Sequence, residues 1–125
     1  MSIAKTAIVT GANRGIGLEI ARQLVKEGIR VVMGSRDPFK GERACAALGA
    51  GDLAVSHSLD VSDTKSVKRF VGFVQKEFGA PAILVNNAGT YPEAREAGVA
   101  DVKTSLWRET FETNLFGAVR MCREV

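Results

Sequence analysis

The sequence contains few residues of the types that build metal sites and disulfide frameworks. Its 125 residues include two cysteines, Cys45 and Cys122, and a single histidine, His57. One histidine and two widely separated cysteines do not supply the ligand spacing of a structural zinc site, so such a site is excluded. A chain of this length buries enough surface to fold without disulfides, and the expected compartment is the reducing cytoplasm.

Long hydrophobic runs and an excess of charge of one sign are also missing. No stretch approaches the roughly 18 apolar residues of a membrane span, and residues 1–9 lack the pattern of a signal peptide. The 17 basic and 14 acidic residues are interleaved, with a net charge of +3. Because there is no basic tail or stripe, nucleic acid is not expected as a partner, and because there is no long apolar stretch, a membrane is not expected either. The composition predicts one globular domain over residues 1–125.

What the sequence does contain is a regular alternation of β-rich runs and segments with helical periodicity. Strands are predicted over residues 6–10, 30–35, 53–59 and 82–85, and helices over about 16–27, 37–48, 62–79 and 105–125. Residues 86–103 are polar, lack a clear period and are predicted to form a loop. Repeated strand–helix units with right-handed crossovers place the strands parallel in one sheet, so the predicted fold class is α/β.

Three glycines mark the junction between the first strand and the first helix. Gly11, Gly15 and Gly17 lie in the segment TGANRGIG, residues 10–17. A strand-to-helix turn leaves the first helical N–H groups unpaired at the positive end of the helix dipole, which favours an anionic pyrophosphate. The alternative is an ordinary glycine-rich turn. The spacing is neither G-x-G-x-x-G nor a Walker loop, since no Lys-Ser or Lys-Thr pair follows Gly17.

The segment TGANRGIG resembles the cofactor motif of the short-chain dehydrogenase/reductase family. Three further matches follow in the order that the family shows: LDV at 59–61, NNAG at 86–89 and TNL at 113–115. The likeness extends over residues 5–125, and the segments GSRDPFKGERA and TNLFGAVRMC are most similar to the carbonyl-reductase-like members. The family has a Rossmann-type, doubly wound parallel sheet, which implies the strand order 3-2-1-4 for this chain.

The resemblance implies a dinucleotide site assembled from these motifs. Asp60 would accept a hydrogen bond from the adenine amino group, with the backbone of Val61 beside it, and Asn86 would tie strands together. Taken alone, Asp60 could instead cap the helix that begins near residue 62, and NNAG could be an ordinary turn. The residues implied to cradle the pyrophosphate and ribose are Gly11, Asn13, Arg14, Gly15, Ile16 and Gly17, and those beside the nicotinamide ribose are Asn87, Ala88 and Gly89.

The end of the second strand distinguishes between the two nicotinamide cofactors. An acidic side chain there accepts hydrogen bonds from the ribose of NAD, whereas a guanidinium pairs with the 2′-phosphate of NADP. Ser35 occupies the acidic position, and Asp37 before Pro38 suits a helix N-cap. Arg36 and Arg14 then favour NADP(H) over NAD(H). The alternative is that both arginines are solvated surface residues.

The catalytic residues implied by the family are largely missing. The family transfers hydride between the cofactor and a small-molecule carbonyl or alcohol, using a serine, a Tyr-x-x-x-Lys pair and a helix asparagine that holds a water in the proton relay. Only the asparagine is matched, by Asn114. Tyr91 and Arg95 imitate the tyrosine–lysine spacing, but Pro92 disfavours a helix there, and we interpret Tyr91 as a loop or surface aromatic. Asn114 could equally be a polar residue buried in a helix.

Length is the remaining anomaly. The family fold is roughly twice as long as this chain, so we expect an amino-terminal, cofactor-binding half of an NADPH-dependent oxidoreductase, with the second half missing and the fourth strand at an open sheet edge. The alternative function is a dinucleotide-binding module, or a degenerate remnant, without catalysis. Apolar residues in the helix over 105–125 suit either packing on the sheet or pairing with a second copy in a homo-oligomer.

Overall fold

The computed structural model of the chain describes residues 3–90 and 98–125. The strands are β1 (Thr6–Thr10), β2 (Arg30–Ser35), β3 (Ala54–Ser58) and β4 (Ile83–Val85). They form one parallel sheet in the order β3-β2-β1-β4, as predicted. β1 pairs with β2 along its whole length and with β4 on its other side, and all five of its residues are buried.

The helices are α1 (Gly15–Lys26), α2 (Pro38–Ala47), α3 (Thr64–Phe78), α4 (Thr104–Asn114) and α5 (Phe116–Glu124). They cover both faces of the sheet because successive apolar residues of β1 and β2 point to opposite faces. Ile8 on β1 and its partner Val32 on β2 face one core, which also contains Val67, Phe70 and other residues of α3. Val9, Val31 and Met33 point to the opposite core with residues of α1 and α2.

The prediction of one continuous helix over 105–125 is wrong. The helix is interrupted at Leu115, where φ is −104° and ψ is −61°, and α5 begins at the next residue. The apolar spacing continues across this break, so periodicity alone does not reveal it. Of the apolar side chains involved, Met121 is fully buried, while Phe111, Leu115, Phe116 and Val119 keep 41–50% of their surface exposed.

Smaller differences concern the ends of elements. The third strand begins one residue later than predicted, after a 3-10 turn at Gly51–Leu53, and ends at Ser58. The helix expected from residue 62 begins at Thr64, because Asp63 is its N-cap and accepts a hydrogen bond from the Lys65 amide. The expected loop at 86–103 contains a 3-10 turn, Val99–Asp101.

In the described ranges 3–90 and 98–125, no helix has the length and apolar character that crossing a membrane requires.

Candidate functional site

A cleft of about 1000 Å³ opens at the carboxyl end of the sheet. Open α/β sheets bind ligands at this end, where the strand order reverses, and here the reversal falls at β1, between β2 and β4. The volume is in the range of about 300–1,000 Å³ found for ligand pockets. The cleft is lined by Gly11, Asn13, Arg14, Gly15, Ile16, Leu18, Ser35, Arg36, Asp37, Lys40, Arg43, Ala44, Leu59, Asp60, Val61, Asn87, Ala88, Gly89 and Thr113.

The start of α1 forms one wall of the cleft and suits an anion. The helix begins without a side-chain cap at Arg14 and without an acidic residue in its first turn, so its positive end is not neutralised locally. Gly15 has a φ of +57°, and a Cβ built there would have no heavy atom within 4 Å, which leaves the approach to the helix open. The arrangement fits a pyrophosphate, which accepts hydrogen bonds from N–H groups at a helix start.

Gly11 and Gly17 allow the turn to pack tightly against the fourth strand's loop. Gly11 has a φ of +60°, and a Cβ there would lie 2.9 Å from the Cα of Ala88. A Cβ on Gly17 would overlap the carbonyl oxygen of Gly11 and lie 2.5 Å from Nδ2 of Asn87. Gly17 is therefore required for helix packing, whereas Gly15 supplies the left-handed conformation beside the open cleft.

The NNAG segment is anchored to the glycine turn by Asn87. Its Nδ2 donates to the carbonyl oxygens of Thr10 at 3.2 Å and Gly11 at 3.0 Å. Oγ1 of Thr10 accepts from the amides of Asn87 at 3.0 Å and Ala88 at 2.9 Å. The expectation that Asn86 ties the strands is wrong, because its Nδ2 contacts Sγ of Cys122 on α5 at 3.5 Å and Asn87 links β1 to β4 instead.

Asn114, the final residue of α4, holds the segment that follows NNAG. Its Oδ1 accepts from the Thr90 amide at 2.7 Å, and its Nδ2 donates to the Thr90 carbonyl oxygen at 3.0 Å. Asn114 is exposed, so the alternative of a polar residue buried in a helix is wrong. The neighbouring Thr113, rather than Asn114, lines the cleft. Asn114 therefore fixes the position of the loop beside the cleft.

Asp60 and Val61 form the wall at the end of β3. Oδ1 of Asp60 accepts from the amide of Ser62 at 3.0 Å and from its hydroxyl at 2.6 Å, and the Asp60 amide donates to Oγ of Ser66 at 2.8 Å. Asp60 thus shapes the loop before α3, and the alternative that it caps this helix is wrong because Asp63 does so. Both Asp60 and Val61 line the cleft.

Four cationic residues line the end of the cleft between α1 and α2. Arg14 and Arg36 were predicted there from the sequence, whereas Lys40 and Arg43 were missed. Their spacing in the sequence could have indicated them. Lys40 and Arg43 follow the N-cap Asp37 by three and six residues, which puts them within one turn of each other on α2. All four side chains are exposed, so they form a solvated, positively charged rim.

Asp37 caps the amino-terminal end of α2, as the sequence predicts. Its Oδ1 accepts from the amides of Phe39 at 3.0 Å and Lys40 at 3.3 Å, with Pro38 in the first turn. Its carbonyl oxygen accepts from Oγ of Ser35 at 2.9 Å, so the buried hydroxyl at the end of β2 is also engaged in this turn. The Asp37 carboxylate and the Ser35 hydroxyl are thus both hydrogen-bonded within this turn, and neither is positioned mainly to accept hydrogen bonds from a ribose.

We expect Asp37→Ala to lower the free energy of unfolding by about 1 kcal/mol, because two helical amides lose their acceptor. Asp37→Asn is the matched control, since its amide oxygen can accept the same bonds, and we expect a change of only a few tenths of a kcal/mol. Urea denaturation of both variants measures the difference. An equal loss in the two variants would show that Asp37 contributes through its charge and not as a cap.

Two titratable side chains with shifted pKa values, Cys45 and Glu19, do not line the cleft. Burial raises the pKa of the Cys45 thiol on α2, which favours the unreactive neutral form. On α1, the hydrogen bond from Gln23 lowers the pKa of Glu19, which also pairs with Arg22.

Tyr91 and Arg95, whose spacing imitates the family's tyrosine–lysine pair, lie outside the described residues. Within residues 3–90 and 98–125, histidine, cysteine and carboxylate side chains nowhere form a group of three suited to a metal ion.

Known proteins are similar to this chain over nearly its whole length. (+)-Neomenthol dehydrogenase of Arabidopsis thaliana is 43% identical over 93% of this chain and 46% of its own length. Human carbonyl reductase (NADPH) 3 is 38% identical over 99% of this chain and 44% of its own length. A crystal structure of a variant actinorhodin polyketide ketoreductase with NADPH superposes with a TM-score of 0.89 at 36% identity, covering 97% of this chain and 46% of that one.

This chain spans about half the length of the relatives that it matches. Within that span, the model of the family described as short chain dehydrogenase matches residues 5–125. The match includes the glycine turn, the loop after β3, the NNAG segment and Asn114. The chain therefore belongs to the short chain dehydrogenase family.

Proposed function

We propose that this chain provides the cofactor-binding half of an NADP(H)-dependent oxidoreductase acting on a small carbonyl or alcohol substrate. The observation that carries the proposal is a single cleft lined by the uncapped start of α1, by four cationic side chains and by Gly89 of the NNAG segment. The named NADPH dependence of a carbonyl reductase relative, and the NADPH in the ketoreductase structure, support the choice of cofactor.

The residues divide the binding task according to their chemistry. The first amides of α1, beside Gly15, would bind the pyrophosphate, and Arg36 with Arg14 would pair with the 2′-phosphate. Asp60 would accept from the adenine amino group. Ala88 and Gly89 would lie beside the nicotinamide ribose, on a segment that Asn87 and Asn114 hold in place. The bound dinucleotide would supply the hydride, while these side chains bind and orient it.

Lys40 and Arg43 add two positive charges to the end of the cleft that Arg14 and Arg36 line. They extend the cationic rim beyond the two arginines, so a ligand carrying one more phosphate gains attraction over its unphosphorylated counterpart. Asp37 does not offset this at the ribose, because its carboxylate oxygen Oδ1 accepts two helical amides. The electrostatics of this end of the cleft thus favour NADP(H) over NAD(H).

Titration of the purified 125-residue chain with NADPH and with NADH tests the proposal. We expect NADPH to bind at least about tenfold more tightly, as a charge-assisted contact to the added phosphate provides. Equal affinity for the two cofactors would contradict the NADP(H) assignment, and binding of neither would contradict the site.

Carbonyl-dependent oxidation of NADPH is measured on the same preparation. The 125 residues contain one tyrosine, Tyr91, and no Tyr-x-x-x-Lys motif to act as general acid. We therefore expect binding without turnover by this chain. Turnover would show that the acid and base groups are supplied by other residues of these 125, and would contradict the division of roles proposed here.

A further inference from the structure

Arg120 on α5 joins three segments of the chain. Its Nη1 donates to the carbonyl oxygens of Val61 at 3.2 Å and Glu112 at 3.1 Å, and its Nη2 pairs with the Glu112 carboxylate. The Arg120 side chain is 22% exposed, so these contacts are partly shielded from water. The guanidinium lies between the loop after β3 and the last turn of α4.

The break at Leu115 explains why α4 needs this contact. A helix end leaves its last carbonyl groups without backbone donors, and α4 ends at Asn114. The Leu115 amide bonds to the Phe111 carbonyl, and Arg120 supplies a donor to the next carbonyl, that of Glu112. A cation at the carboxyl end of a helix also interacts favourably with the helix dipole. Arg120 therefore fixes the end of α4.

The same guanidinium fixes the adenine wall of the cleft. Val61 lines the cleft and is 5% exposed. α5 packs directly on it through Gly117, where a Cβ would lie 2.6 Å from Cγ2 of Val61. Because Arg120 bonds to the carbonyl oxygen of Val61 while Gly117 touches its side chain, Val61 cannot move without displacing α5.

The loop after β3 and the end of α4 are thus connected through one side chain. Glu112 immediately precedes Thr113, which lines the cleft, and Asn114, which holds Thr90 by two hydrogen bonds. We propose that Arg120 is a positioning residue that couples occupancy of the adenine site, at Val61, to the placement of Asn114 and of Thr90 in the segment after NNAG. This inference rests on the proposed function, because it requires that the adenine end binds a nucleotide.

The test uses 2′,5′-ADP, which can fill the adenine and 2′-phosphate end but lacks the nicotinamide half. The readout is hydrogen exchange of the Thr90 amide, whose hydrogen bond to Asn114 reports on the placement of the segment after NNAG. In the unaltered chain, saturating 2′,5′-ADP is expected to slow this exchange about fivefold, the lower end of typical coupling between sites. In Arg120→Met, we expect the ratio of the rates with and without ligand to fall close to one.

Two further variants make the result specific. Arg123→Met, one turn further along α5, removes the same charge from an exposed position outside the cleft lining and should keep the fivefold ratio. Arg120→Lys keeps the charge but has one nitrogen in place of Nη1 and Nη2, so it lacks the planar fork that contacts two carbonyls and the Glu112 carboxylate together, and it should lose the coupling even if Arg120→Met does not fold.

A merely structural role would speed Thr90 exchange equally with and without 2′,5′-ADP and leave the ratio unchanged. A retained fivefold ratio in either Arg120 variant, with 2′,5′-ADP still bound, would overturn the coupling alone. Failure of the unaltered chain to bind 2′,5′-ADP would overturn the proposed function, and this inference with it.

Discussion

Gly17→Ala is expected to lower the free energy of unfolding by about 1–3 kcal/mol and to weaken NADPH binding by more than about tenfold. The added Cβ would overlap the Gly11 carbonyl oxygen and come within 3.1 Å of the Ala12 Cα, both of which are backbone atoms. Backbone cannot rotate away as a flexible side chain does, so α1 must move from the turn. The amides of its first turn would move with it and lose their alignment with the pyrophosphate.

Gly72→Ala is the matched control for this substitution. Gly72 lies within α3, and a Cβ there would have no heavy atom within 4 Å. Alanine should stabilise that helix by up to about 1 kcal/mol and leave NADPH affinity unchanged. Denaturant unfolding and NADPH titration of both variants provide the comparison. If Gly17→Ala bound NADPH as tightly as the unaltered chain, the proposed role of the α1 start would be wrong.

Arg36→Met is expected to weaken NADPH binding roughly tenfold while leaving NADH binding nearly unchanged. The reason is that a guanidinium can pair with the 2′-phosphate through charge-assisted hydrogen bonds, which NADH cannot form. Arg36 is exposed, so the effect should shrink as ionic strength is raised. Titrations with both cofactors at low and moderate salt measure the change in preference.

Arg69→Met, which removes an exposed arginine of α3 that does not line the cleft, is the charge-matched control. It should alter neither affinity. Asp37→Asn should also preserve the cofactor preference, since Asp37 acts as a helix cap. Equal weakening of NADPH and NADH in Arg36→Met would indicate a general electrostatic or structural effect and would remove the argument for selectivity at Arg36.

Features that depend on local conformation were predictable from the sequence. The short apolar, β-rich runs at residues 6–10 and 30–35 predict buried strands, and the order 3-2-1-4 follows from the family resemblance; both are confirmed. The glycine turn was predictable because few other residues adopt the positive φ found at Gly11 and Gly15.

Features that depend on the direction of a side chain were not predictable. Asn86 and Asn87 are adjacent at the end of β4, and which of them faces β1 depends on the pleat of that strand, which two identical residues do not reveal. Likewise, Lys40 and Arg43 reach the cleft only because of how α2 lies on the sheet. The break at Leu115 escaped prediction because the side chain that satisfies the α4 end, Arg120, acts across eight residues.

The most direct test of the account is to map NADPH onto the chain by amide chemical shifts. We expect the largest changes at the start of α1, around Gly15 and Ile16, with further changes at Arg36, Asp60 and Gly89. The α4–α5 surface, formed by the exposed residues Phe111, Leu115, Phe116 and Val119, should change little. Absence of saturable changes at the α1 start, or largest changes on the α4–α5 surface, would contradict the assignment of the cleft as the NADP(H) site.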